Sequence, residues 1–308
     1  MKTQVLKILL PLCLMVWPAL LRSQTIVTSA GSVSSCPGTI VVAVTVTNCN
    51  NIGAISLKLD YNSSILTYQG YQNLHSQLTT GLLSINSTGS SVIFSWANTT
   101  AANIGNGTLV EFIFNAVAGA SSLNWDTQVP GNCEYSDINM NVLPASFVNG
   151  TATIYQIPQI NIQPVDQTVL VGFNASFSLS ASGTGLSYLW QVSIDGGSIW
   201  SDLSNNATYS GVTTATLSIS NAQLTMNGYK YRCRITGTCP PVLYSNVVTL
   251  TVVNPITTTL PTLSFCPGSI IVSVTVTNFT SVASFSLTFS YDTAKLTYTG
   301  YQSINPAL

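Results

Sequence analysis

Apolar residues recur at every second position through most of this chain. Ile40, Val42, Val44 and Val46 are separated by Val41, Ala43, Thr45 and Thr47, and Ile55, Leu57 and Leu59 alternate with Ser56, Lys58 and Asp60. A period of two sends alternate side chains to opposite faces of a β-strand, so each segment predicts a strand with one buried side. The same rule predicts strands over Ser91 to Trp96, with Val92, Phe94 and Trp96 inward, and over Leu109 to Phe114, with Val110, Phe112 and Phe114 inward. Past Pro158 the pattern resumes. Ala175, Phe177, Leu179 and Ala181 form one alternating set; Tyr188, Trp190 and Val192 a second; Ala215, Leu217 and Ile219 a third; Tyr229, Tyr231, Cys233 and Ile235 a fourth. Val and Ile are abundant and no long helical period is visible, so the predicted class is all-β, built as tandem β-sandwiches.

The stretch from Cys36 to Gln72 returns from Cys266 to Gln302, identical at 19 of 37 positions at a constant offset of 230. The substitutions keep the pattern. Ile55, Leu57 and Leu59 become Phe285, Leu287 and Phe289, while Ser56, Lys58 and Asp60 become Ser286, Thr288 and Ser290. Apolar replaces apolar on one face and polar residues exchange on the other, which fixes the register, because a one-residue slip would exchange the two faces. One module is used twice.

These repeats and the turn-forming residues between them divide the chain. Residues 1–23 read as a secretory leader: Lys2 and Lys7, an apolar run from Ile8 to Leu21, then Arg22 and Ser23. The run is shorter than the roughly 20 residues a membrane-spanning helix needs. Residues 24–155 form a first sandwich, 158–253 a second domain, 254–259 a linker opening on Asn254-Pro255, and 260–308 a shortened second copy of the first module. Only 6% of residues are charged, against about 25% in an average globular protein, and Ser, Thr and Asn take their place. Without the leader, five cations stand against nine acids, a net charge of −4. So few cations leave no electrostatic footprint for nucleic acid. The mature chain has no other stretch that reads as a transmembrane span, and the leader predicts a secreted or cell-surface protein.

Six cysteines remain after the leader, in an export context that permits disulfides. Cys36 is retained in the repeat as Cys266, whereas Cys49 is replaced by Phe279, so Cys49 is not the expected partner of Cys36 and Cys133 is the remaining thiol of that domain. Cys233 and Cys239 are spaced to close a local hairpin loop. The partners of Cys49 and Cys266 stay open. With no CxxC pair and a single histidine, no metal site and no cofactor are expected.

GTIVVAVTVTN, then GAISLKLDYNSSILTYQGY, then IFSW followed by NGTLVEFIF resembles the cohesin module of bacterial surface and cellulosomal proteins. The resemblance implies a nine-stranded jelly-roll sandwich that binds dockerin domains and shares its architecture with carbohydrate-binding modules. The family's Tyr-Asp-Pro reads Tyr61-Asn62-Ser63 in this chain, and the Asn and Asp with which the family contacts dockerin align with Ala54 and Ser56. Residues 158–253 resemble an immunoglobulin-like domain, which implies Trp190 on the third strand and Tyr231 as the corner tyrosine before Cys233, with Phe177 or a neighbour in place of the first inter-sheet cysteine.

Catalysis has little to work with. His75 is the only histidine and no GxSxG nucleophile motif occurs. Nine scattered acids single out no carboxylate pair of the kind a glycosidase needs. Asp137-Ile138-Asn139-Met140-Asn141 begins like a calcium loop, but Val142 and Val148 stand where Gly and Glu are required, so a hairpin turn is expected. The expected binding surfaces are two. One is the outward row Ser56, Lys58 and Asp60; the other is Lys230, Arg232 and Arg234, which share a strand face, as a positive stripe for an acidic partner or, the favoured reading, as a solvated sheet face. Tyr68, Tyr71, Tyr298 and Tyr301 are expected to pack on the sandwich rim, with sugar stacking as the alternative. The expected function is a non-catalytic adhesion or scaffold protein of the bacterial surface, taking a dockerin-like extracellular protein or a polysaccharide as partner; the alternatives are a carbohydrate-binding module aiding polysaccharide breakdown and a structural spacer.

Overall fold

The computed structural model describes residues 25–304 apart from 265, 281, 283 and 303. The expected leader therefore lies outside the described residues. Two hydrophobic cores form, one from residues between Ile26 and Ile154 and the other from residues between Ala175 and Val252.

The first unit opens with β1 (Ile26–Ala30), β2 (Val33–Ser35) and β3 (Gly38–Cys49). β4 (Ile52–Asp60) and β5 (Leu66–Gln72) complete the repeated stretch. After a 3-10 turn over Ser76–Leu78 come β6 (Leu82–Ser87), β7 (Ser91–Ala102), β8 (Gly105–Ala116) and β9 (Gly119–Trp125). Four short strands finish it: β10 (Glu134–Ser136), β11 (Val142–Leu143), β12 (Ala145–Val148) and β13 (Gly150–Ile154). One sheet runs β12-β1-β3-β8-β5. In the other, β4 is flanked by β7 and β10, β6 pairs with the far side of β7, and β9 carries the sheet on to β13 and β2.

The alternation explains why these two sheets face each other. Val42, Val44 and Val46 of β3 are at most 1% exposed, as are Leu57 and Leu59 of β4 and Val92, Phe94 and Trp96 of β7. Each fully buried aliphatic side chain contributes roughly 1.5–3 kcal/mol, and only the sandwich buries all of them at once. Polar atoms that enter this layer are paired. The Trp96 indole donates to the Thr80 carbonyl at 2.8 Å and the Trp125 indole to the Val148 carbonyl at 3.0 Å. Between the sheets, the hydroxyls of Thr28 on β1 and Tyr135 on β10 meet at 2.7 Å. At Gly53 an added Cβ would lie 2.6 Å from the Asp137 backbone, so glycine lets the β10–β11 turn sit directly on the start of β4.

The second unit contains β14 (Gln159–Ile162), β15 (Gln167–Leu170), β16 (Ala175–Ser178), β17 (Ser180–Ser182), β18 (Ser187–Ser193) and β19 (Ser201–Asp202). It continues with β20 (Tyr209–Ser210), β21 (Thr216–Ile219), β22 (Lys230–Thr236), β23 (Leu243–Tyr244) and β24 (Val248–Val253). The larger sheet runs β15-β24-β22-β18-β19, and β16-β21-β20 form a second. Trp190 of β18 is buried, with Phe177 of β16 6.4 Å from it and 5.1 Å from Tyr231 of β22, ring centre to ring centre. Phe177 thus fills the space that the first inter-sheet cysteine would occupy. The Tyr231 hydroxyl meets Tyr209 at 3.3 Å, a side-chain partner where a corner tyrosine takes a main-chain one.

The disulfide expectation is corrected. Cys36 is joined to Cys239, 203 residues away and in the other sandwich. Cys133 and Cys233 are free thiols, as are Cys49 and Cys266. The reason is directional. Cys233 points into the second core from the inward face of β22, while Cys239 lies beyond that strand's end, where the first sandwich approaches. Cys133 lies beside β4, with its sulfur 3.6 Å from the Lys58 carbonyl, on a different part of the first unit from the β2–β3 turn that holds Cys36. Past residue 254, β25 (Thr257–Thr259) pairs with β26 (Thr275–Thr277). Phe285, Leu287 and Phe289 are 43–50% exposed, whereas their counterparts Ile55, Leu57 and Leu59 are buried. No sandwich closes among the described residues of the second copy.

Replacing Tyr135 with Phe leaves the buried Thr28 hydroxyl without a partner and is expected to cost about 1–3 kcal/mol. Urea unfolding should show a lower midpoint at unchanged slope; an unshifted midpoint would show that the hydroxyl pair contributes nothing to the sandwich.

Candidate functional site

The outward residues of β6, β7, β4 and β10 make one continuous face, because the register places them in rows. Leu82, Ala97, Ala54, Ser136 and Val142 form the first row; Ser84, Ser95, Ser56 and Glu134 the second; Asn86, Ile93 and Lys58 the third. Strands lie about 4.8 Å apart, so these four, with β11 beside β10 at one end, give a platform roughly 20 Å wide. Its middle is flat, since alanines and serines carry short side chains, and its ends are apolar, with Leu82 81% and Val142 64% exposed.

Ser56, Lys58 and Asp60 do share this face, as expected. Two of them are already engaged. The Lys58 ammonium lies 2.8 Å from an Asp126 carboxylate oxygen and 3.6 Å from Asp60. Asp126 also accepts from the Asn132 amide at 2.6 Å, and Asp60 accepts the Ser91 hydroxyl at 2.5 Å. The Lys58 and Asn132 hydrogen bonds hold the Asp126 carboxyl below its usual range, and the Asp126 bond holds Lys58 above its own. The freer positions belong to β6 and β7, which bring Leu82, Ser84, Asn86, Ser95 and Ala97. Sequence reasoning missed β6, although Leu83 and Ile85 alternate with Leu82, Ser84 and Asn86 and gave the signal.

On the second unit, Lys230, Arg232 and Arg234 do share one face of β22, but the stripe is knit into its surroundings. The Arg232 guanidinium lies 4.2 Å from the ring centre of Trp200 and 4.4 Å from that of Tyr244, and its Nε donates to Gln191 at 2.8 Å. Gln191 in turn donates to Asp202 at 2.6 Å, and Asp202 accepts Arg234 at 3.4 Å. Trp200 is set by the loop before it: the Asp195 carboxylate accepts the Ser193 hydroxyl and the main-chain N–H groups of Ser198 and Ile199. Those bonds, the Ile199 N–H first, also hold the Asp195 carboxyl below its usual range. Lys230 has no ion-pair partner among the described residues.

The remaining candidates serve structure. His75 caps the 3-10 turn, its Nδ1 accepting from the Gln77 N–H at 3.3 Å. Asp137 accepts the N–H groups of Asn139 and Asn141 at 2.8 and 2.9 Å, which closes the β10–β11 turn. Tyr68 packs edge-on against Phe112 and Phe114 with ring centres 6.1 and 5.8 Å away, and burial pushes its phenol up to about 12. Tyr71 is 43% exposed, and Tyr298 and Tyr301 are 63% and 77% exposed. No group of three or more metal-ligating side chains occurs, and no helix is long and apolar enough to cross a membrane, among the described residues.

Against known families, residues 26–154 match the cohesin domain and residues 161–254 match a domain of unknown function, DUF8696. No curated protein matches the chain. Among solved structures, a non-cellulosomal cohesin from the hyperthermophilic archaeon Archaeoglobus fulgidus is 23% identical, covering 42% of this chain and 91% of that one at a TM-score of 0.37. The Coh-OlpA–Doc918 complex, a type I cohesin–dockerin pair from Clostridium thermocellum, is 18% identical over 42% of this chain and 99% of that one, TM-score 0.38. The two-domain DIP-gamma IG1+IG2 structure is 14% identical over 75% of this chain and 98% of that one, TM-score 0.38.

The Lys58–Asp126 pair gives the platform an acid limit. Because the folded carboxyl is more acidic than the unfolded one, the stabilisation it contributes is complete above the ordinary Asp pKa of about 4 and is lost as pH falls through the lower folded value. Asp126→Asn should flatten the dependence of melting temperature on pH between roughly pH 4 and pH 2. An identical acid profile in the variant would remove the pair as a contributor.

Proposed function

We infer that this chain, which carries a cohesin domain over residues 26–154 and an immunoglobulin-like sandwich after it, is a non-catalytic scaffold that holds an extracellular protein on the platform of β6, β7, β4 and β10. The observation that carries this reading is the shape and chemistry of that face. It is flat, low in charge and apolar at both ends, as a protein-docking surface requires. Ser56, Lys58 and Asp60 belong to it, with Lys58 and Asp60 acting as a fixed charged margin and Ser84, Ser95, Leu82 and Val142 as the contact area. A dockerin-like module is the partner of this geometry. With Ala54 and Ser56 at the positions where the cohesin resemblance implies Asn and Asp, the contact relies on surface fit more than on side-chain amide and carboxylate bonds.

The same reading takes residues 1–23 as a cleaved leader, residues 24–155 and 158–253 as the two secreted sandwiches, 254–259 as the linker and 260–308 as the second cohesin-like copy. Secretion and display at the bacterial surface follow from that leader. Lys230, which like Arg232 has no ion-pair partner among the described residues, together with Arg232 and Arg234, forms a secondary contact for an acidic group. A polysaccharide partner has less to hold it, since Tyr68 is turned into the core and Tyr71 lies on the opposite sheet.

Ser95→Arg places a long charged side chain in the middle of the flat face without touching the core. Against immobilised dockerin modules it should weaken binding at least tenfold while the melting temperature changes little. A glycan array run beside it distinguishes the polysaccharide alternative, and equal dockerin affinity in wild type and variant would remove this face as the site.

A further inference from the structure

Two connections cross from the first sandwich to the second, and they run side by side. The peptide link leaves β13 through Tyr155, whose N–H donates to the Ser35 carbonyl at 2.8 Å, next to Cys36. It continues through Gln156, whose N–H donates to Thr184 Oγ1 at 2.9 Å. Thr184 accepts the Thr238 N–H at 2.8 Å, next to Cys239. At this same junction the Cys36–Cys239 bond closes a loop of 203 residues, with the two Cα atoms 5.6 Å apart.

The covalent path through the pair is therefore short. From residue 25 it reaches Cys36, crosses the disulfide and leaves from Cys239 toward residue 254. Everything between the two cysteines, including β3 to β22 and most of both cores, lies on a closed side loop. We propose that the Cys36–Cys239 bond is a mechanical bypass that takes tension between the two ends of the pair past both sandwiches.

Only β1 and β2 before Cys36, and β23 and β24 after Cys239, lie in the load path. Peeling all four releases roughly two dozen residues, about 90 Å of extended chain, whereas opening the loop would release about 700 Å. A surface scaffold built this way keeps a nearly fixed length when its partner is pulled. Two of the four free thiols, Cys49 and Cys233, are poorly placed to undo it, because burial pushes Cys49 up to about 12 and Cys233 up to about 11, leaving little thiolate for exchange. The second copy also retains the junction thiol, as Cys266, while replacing Cys49 by Phe279. That is the pattern of a device belonging to the two-domain repeat and not to one sandwich.

Single-molecule pulling on the mature chain, with handles at both ends, tests the bypass. The oxidised protein should yield no more than about 90 Å from the paired sandwiches. The same molecules in dithiothreitol, a dithiol that reduces the bond and is itself oxidised to a cyclic disulfide, should yield about 700 Å more in discrete steps. Residues beyond 254 extend equally in both conditions and cancel. Cys36→Ser should behave like the reduced protein, and reduction of the folded wild type keeps the test valid if that variant fails to fold. Full extension without reductant, no gain with it, or a Cys36–Cys133 linkage in non-reducing peptide maps would each overturn the proposal.

Discussion

The dry layer between the two sheets of the first sandwich is the constraint that everything outside it obeys. Once Val42, Val44, Val46, Leu57, Leu59, Phe94 and Phe112 are committed to that layer, strand geometry leaves every second residue no choice but to face outward. The outward set is then free to vary in chemistry so long as it stays polar or small. The platform of β6, β7, β4 and β10 exists because the core fixes four strands in register and leaves their outer rows to serine, alanine and a few apolar ends.

Scarcity of charge shapes both surfaces. A chain with 6% charged residues cannot build broad electrostatic fields, and it uses its cations locally. Lys58 is tied to Asp126 and Asp60; Arg234 is tied to Asp202; Arg232 is held between Trp200 and Tyr244. Exposed ion pairs contribute little to stability, typically below about 1 kcal/mol. Their effect is to hold long side chains in place beside flat, nearly neutral faces.

The junction makes the two sandwiches one covalent unit. In the chain-entropy view, closing a loop of 203 residues removes freedom from the unfolded chain equivalent to about 5 kcal/mol. Adjacent domains linked by a single peptide normally move relative to one another. Here the peptide link is hydrogen-bonded to both neighbours and the disulfide runs beside it, so the platform is presented at a set position relative to the immunoglobulin-like unit.

The sequence by itself determined the all-β class, the repeated stretch and the inward faces of long strands such as β3, β4, β7 and β8, because a period of two is a local property that any folded neighbour must respect. Trp190 and Phe177 in the second core were legible for the same reason, and the hairpin turn at Asp137 from its run of Asp and Asn side chains. Only the tertiary structure decided which thiols meet. The elimination that pointed Cys36 toward Cys133 searched within one sandwich, whereas the partner lies across the junction in the other. It also decided that the β22 stripe is knit to Asp202, Gln191, Trp200 and Tyr244, which separate strands bring together, and that Lys58 and Asp60 are engaged while β6 supplies the open part of the platform. Pairings of that kind depend on distances between segments far apart in the chain, and alternation along a single strand carries no record of them.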